Sequence, residues 1–402
     1  MLITIAYKGE FPDGNQAMAY RLNLYCKGLV AEGCRVNILM PRSGNPNNIS
    51  GKSQNLTYRS IAANSLSSNY ILRRLQLWFI DPFLLMLPLK KEAKENNTVW
   101  LIGFQGFWLL VYALYFKFSH IRIIIEQNEN PYSMQSTSRE IVFVRKIKQW
   151  LQRNITWYLI DGFVVISESL EYLVKKYASR KSSIIRVPIL TDDYQISNSN
   201  HVSNFDSIRD IPFILHAGDI SERKDGISKV IVAFHRAIQV IGKGKLKFYF
   251  TRKNALINDT KLYKKIIEDL GLVDEIFFTD YLSNEDLDFL LKNCLMTIVN
   301  KPLNSQNNYN FPTKLTNYLI NKVPVIASET GEIPKYFTDK KNALIVKPND
   351  INGIADAIIF LYQNPDKAKQ IGNNGFLLAQ NVFHYNKHSK KLYGFINKII
   401  LN

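Results

Sequence analysis

The chain has little cysteine: Cys26, Cys34 and Cys294 are the three in 402 residues, and no two of them form a CxxC pair. That spacing excludes a disulfide framework, and without a Cys/His cluster it excludes a structural zinc module. A reducing compartment fits such a chain. Acidic residues are scarce beside basic ones, 34 against 51, for a net charge of +17. A balance that basic favours an anionic partner, whether phosphate, lipid headgroup or nucleic acid. Long apolar runs are missing too. Leu77–Leu89 is interrupted by Asp81, Pro82 and Pro88, and Phe104–Phe118 carries Gln105 and Lys117. Neither reaches the ~20 apolar residues of a spanning helix. The opening MLITIAYKGEF lacks the charged start and apolar core of a signal peptide and reads as a strand. There is no fixed-period repeat and no low-complexity tract.

What is present is an alternation of short β-branched runs with longer amphipathic segments. Strands are expected at 2–6, 35–40, 98–102, 121–126, 161–166 and 184–187, with helices at 16–32 and 168–177. Residues 192–210 are rich in Ser, Asn and Asp and read as a polar joint. The alternation restarts with PFILHA at 212–217 and continues through strands at 247–250, 275–279, 295–299 and 323–327, ending in a helical tail. Strand–helix–strand repeats imply parallel sheets covered on both faces. The length suits two domains of roughly 200 residues each. The expected division is 1–195, a linker at 196–210, 211–385, and a helix at 386–402 that can cross back to the first domain.

Ligands of such sheets bind beyond the carboxyl ends of the strands, where loops enter helices. Four loops qualify. KGEFPDGNQ (8–16) has Gly9 and Gly14 for tight turns but is not a GxGxxG fingerprint. AGDISERKDG (217–226) sets Arg223 and Lys224 before a helix start, a combination suited to pyrophosphate or equally to a solvated basic loop. YNFPTKLTNYLINKVP (309–324) offers Asn310 or Thr313 as a cap and puts Lys314 and Asn317 on one helix face, fit for phosphate and ribose hydroxyls. In SETGEIPKY (328–336), Gly331 lets backbone N–H groups approach a ligand, and Glu332 can accept from sugar hydroxyls.

The run FPTKLTNYLINKVPVIASETGEIPKYFTDKKNALIVKPND (311–350) resembles the donor-binding half of retaining GT-B glycosyltransferases of family 4, and so does ILHAGDISERKDGISKVIVAF (214–234). DGFVVISESLEYL (161–173) with IIRVPI (184–189) resembles the end of the acceptor-side half. The resemblance implies an α/β chain of the GT-B class, two Rossmann-like domains facing a cleft. It implies transfer from a nucleotide-sugar donor to a glycan or lipid-linked hydroxyl, with retention, with no metal and with no cofactor. Carried over by position, Gly218 and Lys224 face the donor pyrophosphate with Lys314 assisting, and Asn317 approaches the ribose. Gly331 and Glu332 line the donor sugar or phosphate, and Gly14 approaches the distal phosphate. Members of the family often carry two glutamates with seven residues between them; Tyr309 and Asn317 stand there instead. The arginine common after the strand glycine is Asp219, with Arg223 four residues on to supply the charge. Asn128, between Glu126 and Glu129, falls near a common histidine. Glu129 is our candidate for orienting the acceptor.

The missing carboxylates keep a non-catalytic nucleotide-sugar binding protein as the alternative, with a nucleotide-sugar 2-epimerase behind it. No nucleic-acid partner is expected, since no RRM, KH or helix-turn-helix signature accompanies the charge. REIVFVRKIKQWLQR (139–153) is a basic amphipathic segment with an aromatic, and basic residues are also dense over 73–94. Such a segment suits an anionic bilayer surface or a solvated face over a core. With the lipid-linked acceptors of the family, peripheral association at the cytoplasmic face of the inner membrane is the expected location.

Overall fold

The computed structural model describes the chain apart from residues 13–16, 43–48, 63–67, 132–141, 194–210, 219, 252–256, 281 and 402. Gly14, Asp219, Arg139, Ile141 and the expected linker at 196–210 therefore lie outside the described residues. Two compact units emerge: Met1–Leu190 with Tyr385–Asn402, and Thr191–His384.

In the first unit the strands are β1 (Leu2–Tyr7), β2 (Arg35–Arg42), β3 (Ser50–Lys52), β4 (Leu56–Ala62), β5 (Thr98–Ile102), β6 (Arg122–Gln127), β7 (Gly162–Val165) and β8 (Ser183–Arg186). They form one sheet in the order β3-β4-β2-β1-β5-β6-β7-β8, parallel except for the β3–β4 pair. β5 and β7 are buried along their whole length, as a strand covered on both faces must be, and their apolar runs announce it. β4 was not expected. Its residues are half-buried or exposed throughout, so LTYRSIA shows no apolar run. Within the helix Ala17–Ala31, Ala17 is exposed, while Arg21 is buried. Arg21 reaches Glu126 at 2.6 Å and the carbonyl of Val187 at 2.7 Å, and Tyr25 donates to the same Glu126 oxygen at 2.9 Å. The helix Asn386–Leu401 completes this unit's core, with Leu392, Phe395, Ile396 and Ile399 buried among residues of β1, β5, β6 and β8.

The second unit has β9 (Phe213–His216), β10 (Lys247–Thr251), β11 (Ile276–Thr279), β12 (Met296–Val299), β13 (Val325–Ser328) and β14 (Leu344–Val346). All pairs are parallel, in the order β11-β10-β9-β12-β13-β14. The chain builds outward from β9 in one direction and then restarts on its other side at β12. The crevice past the carboxyl ends of β9 and β12 is thus the switch point of the sheet, where helices diverge to opposite faces and leave room for a ligand. Among the described residues no helix is long and apolar enough to cross a membrane.

Candidate functional site

The switch point of the second sheet is filled with charge. β9 ends in His216, which is fully buried. After Gly218, Ser221 caps a one-turn helix, Glu222–Asp225, its hydroxyl accepting from the Lys224 N–H at 3.3 Å. Gly226 closes the turn at φ 55°, a left-handed conformation that a residue with a Cβ adopts only at a cost. The carbonyls that this turn leaves unpaired are taken by three asparagines following β12. Asn304 donates to Arg223 O at 2.9 Å, Asn307 to Lys224 O at 3.1 Å, and Asn300 to Asp225 O at 2.9 Å. Helix ends need such partners, and here they hold the backbone of Arg223 and Lys224 in one place.

At the end of that turn the carboxylate of Asp225, almost wholly buried, gathers two lysines. Lys301 Nζ donates to Asp225 Oδ1 at 2.8 Å, and Lys314 Nζ lies 3.4 Å from the same oxygen. Lys314 Nζ also donates to His216 Nε2 at 2.9 Å, while His216 Nδ1 bonds Ile298 O at 3.1 Å. This pairing fixes the imidazole as neutral, protonated on Nδ1 and accepting on Nε2. Burial, then the adjacent Lys314 ammonium, pushes the imidazole down to about 3. Burial alone would raise the Asp225 carboxyl; Lys301 and then Lys314 outweigh it and hold the carboxyl well below the usual carboxylate range. Two ammoniums, one carboxylate and one neutral imidazole leave one surplus positive charge in a nearly dry crevice, where it acts at low dielectric.

The expected site residues are placed as follows. The loops that carry Lys224 and Lys314 meet at Asp225. Lys314 stands at the N-cap position of the helix Leu315–Ile320, so neither Asn310 nor Thr313 caps it, and Asn317 lies half-buried one turn on. Gly218 is exposed and its N–H donates to Thr251 Oγ1 at 2.8 Å; a side chain there would meet nothing within 4 Å. Tyr318 OH accepts from the neighbouring Ala217 N–H at 2.8 Å. The start of the helix Ile227–Ile241 is met by Glu222, whose carboxylate accepts from Ser228 N at 3.0 Å and Ser228 Oγ at 2.6 Å. The positive charge at this loop is therefore that of its side chains rather than of an open helix end. The Glu332 carboxylate is buried and paired with Lys335 at 2.8 Å. Glu129 belongs to the first unit, half-buried just past β6, its carbonyl accepting from Gln127.

Gly331 explains itself by space. It sits at φ 62°, and a Cβ would lie 2.7 Å from both Asn307 O and Asn310 O. Gly331→Ala is therefore expected to lower stability by about 1–3 kcal/mol, combining left-handed strain with a clash against backbone that cannot give way. Thermal denaturation of the variant checks this, and an unchanged melting temperature would show that the two loops yield freely.

Three members of the cluster were not anticipated: His216, Asp225 and Lys301. The first two stand inside the quoted run 214–234, and Lys301 lies two residues past an expected strand. Only the fold shows that Asp225 lies against residues 76 and 89 positions away.

Residues 206–377 match the family model described as Glycosyl transferases group 1. Comparison with curated proteins finds no match. Among solved structures, sucrose-phosphate synthase from Thermosynechococcus elongatus superposes with a TM-score of 0.73 at 15% identity, over 100% of this chain and 99% of that one. Anabaena HepE, in complex with UDP and glucose, gives 0.69 at 13% identity over 99% and 100%. A glycosyltransferase from Rickettsia africae gives 0.69 at 15% over 100% and 99%. At these identities the likeness is one of fold.

Proposed function

We propose that this chain, whose residues 206–377 match the glycosyl transferases group 1 model and whose fold is that of GT-B structures, is a glycosyltransferase that moves a sugar from a nucleoside diphosphate to a hydroxyl of a glycan or lipid-linked acceptor. The observation that carries this reading is the surplus charge of the Asp225–Lys301–Lys314–His216 cluster at the switch point of the second sheet. A leaving diphosphate gains negative charge as the glycosidic bond breaks, and fixed cations aimed at it lower the barrier without reorganising. Lys314 contacts the diphosphate, Asp225 and His216 hold Lys314 in position, and Arg223 and Lys224 add charge from a backbone clamped by three asparagines. Gly218 leaves room for the donor. Asn317 meets the ribose, and Gly331 brings backbone close to the donor sugar. Glu332 supports this wall of the site through Lys335. The transfer proceeds with retention, the departing phosphate taking the acceptor proton, and the lysines do the work that a metal does elsewhere. The UDP bound by the HepE structure makes UDP and UDP-sugars the first donors to try.

The test is a thermal-shift screen of the full chain with UDP, GDP, ADP and their sugars. A cognate diphosphate at a hundred times its Kd stabilises by about 2.7 kcal/mol by mass action, a shift that melting resolves easily. Slow hydrolysis of the same donor without acceptor then separates an enzyme from a binding protein. Failure of every nucleotide to move the melting temperature would sink the reading.

A further inference from the structure

The first sheet has a switch point of its own. The chain runs outward from β1 through β2 and β4, then restarts at β5 on the other side of β1. The crevice past the carboxyl ends of β1 and β5 is therefore a second place where a ligand of such a sheet belongs. β1 ends there in Tyr7, which pairs with Ile102 of β5, and Glu126 of β6 stands next in register beside Ile102. Tyr7 and Glu126 both lie on the face covered by the helix Ala17–Ala31. Tyr7 packs in the core with Leu22 and Tyr25, and Glu126 Oε1 accepts from Arg21 and Tyr25.

Both side chains are buried, Tyr7 at 1% exposure and the Glu126 carboxylate at 0%. Among the described residues, Tyr7 Oη and Glu126 Oε2 nevertheless meet no hydrogen-bonding partner. The same holds for Asn128 Oδ1, whose amide nitrogen is turned to Met18 Sδ at 3.6 Å. Buried polar groups are seldom left unmatched, so three around one crevice ask for a ligand that matches them. The phenol lies under the loop that follows β1: a Cβ on Gly9 would fall 2.5 Å from Tyr7 Oη. Both strands surface at once, with Lys8 exposed and Gly9, Glu10, Asn128 and Glu129 half-buried. The unmatched atoms thus sit one layer beneath the rim.

The charge of this crevice runs against that of the chain. Residues 7–12 and 126–130 carry Glu10, Glu126 and Glu129 against Lys8 alone, in a protein with a net charge of +17. Arg21 is committed to Glu126 and to the carbonyls of Val187 and Pro188. Burial, then Glu126 and Glu10, push the Tyr7 phenol up to about 12, so it stays protonated and able to donate. We infer that this crevice binds the edge of an uncharged sugar, whose hydroxyls donate to Glu126 Oε2 and Asn128 Oδ1 and accept from Tyr7 Oη, and that it turns phosphorylated sugars away. A hydroxyl both donates and accepts, as this mixed set requires; a phosphate dianion only accepts, and it would face three carboxylates. On the reading of the chain as a glycosyltransferase, on which this step rests, the sugar is the acceptor, and its bound end is neutral although the protein as a whole is basic.

The experiment is saturation-transfer NMR on the full chain, with and without UDP, probed with methyl α-glucoside, methyl α-galactoside, methyl α-mannoside and glucose 6-phosphate. The wild type transfers saturation to at least one methyl glycoside and not to the phosphate. Tyr7→Phe removes an atom that has no partner, so it keeps the wild-type melting temperature. It weakens the bound glycoside about three- to tenfold, the worth of one neutral hydrogen bond. Glu126→Gln still offers Arg21 an oxygen and weakens the glycoside further, by about tenfold or more, because a bond to a charged acceptor is the stronger kind. The inference is overturned if the wild type shows no glycoside in either condition, if glucose 6-phosphate binds as well as the glycosides do, or if Tyr7→Phe holds the glycoside as tightly as the wild type. A glycoside that binds in the manner described, to a chain that no nucleotide stabilises, supports this site and removes the reading of sugar transfer instead.

Discussion

Lys314→Ala is expected to lower turnover by about 10²–10³-fold, the usual loss when one fixed donor to a developing charge is removed, and to leave the fold standing. The geometry separates the two effects. Asp225 keeps Lys301 at 2.8 Å when Lys314 is gone, so no buried carboxylate is stranded. What disappears is the surplus: one ammonium against one carboxylate leaves a neutral crevice. The loss should fall on kcat more than on KM, because the charge it answers grows as the glycosidic bond breaks. Steady-state kinetics with the cognate donor, or single-turnover donor hydrolysis, checks this beside a melting curve. Unchanged turnover in a folded variant would remove Lys314 from the reaction.

Asp225→Asn is expected to act the other way, on stability first. It leaves Lys301 and Lys314 buried without their carboxylate, and breaking such a group by removing one partner costs about 3–5 kcal/mol. For a unit of this size that lowers the melting temperature by roughly 10 °C. Adding Lys301→Met should recover part of the loss, because it removes one stranded charge. Acid should do part of the same work on the wild type. The folded pKa of Asp225 is depressed, so its contribution is complete above the unfolded value of about 3.9 and is lost as pH falls through the folded one. His216, held down at about 3, acts earlier: its contribution is complete above about 6.5 and drains away as pH falls toward 3, since the unfolded chain takes up the proton first. Melting temperature should therefore already fall between pH 7 and pH 5, and less steeply in His216→Asn. A variant as stable as the parent at pH 7, with the same pH profile, would show that the cluster is solvated rather than buried.

The parts of the fold that were readable from sequence are those in which one strand or helix obeys one rule. β5 and β12 are buried from end to end and, but for one threonine each, apolar, because both faces are covered, and the loops after β9 and before the helix Leu315–Ile320 stood out for their Gly, Lys and Arg. Where two elements share a burden, the pattern goes silent. β4 hides because its side chains are only half covered. Arg21 reads as a surface residue because its partners, Glu126 and the carbonyls of Val187 and Pro188, arrive from distant segments. Asp225 looked like one more acid in a polar loop, and its role depends on two lysines brought in from distant segments. Lys314 was legible; Lys301 and the carboxylate that holds both lysines were not. The helix 70–80 fails for the opposite reason: apolar residues are expected inward, and these face outward.

The helix Asn386–Leu401 makes the first unit discontinuous in sequence: the apolar bed over β6 and β8 is covered by residues that follow the whole second unit. Met1–Leu190 alone therefore lacks part of its own core, and cutting the chain after Leu190 is expected to leave that bed bare.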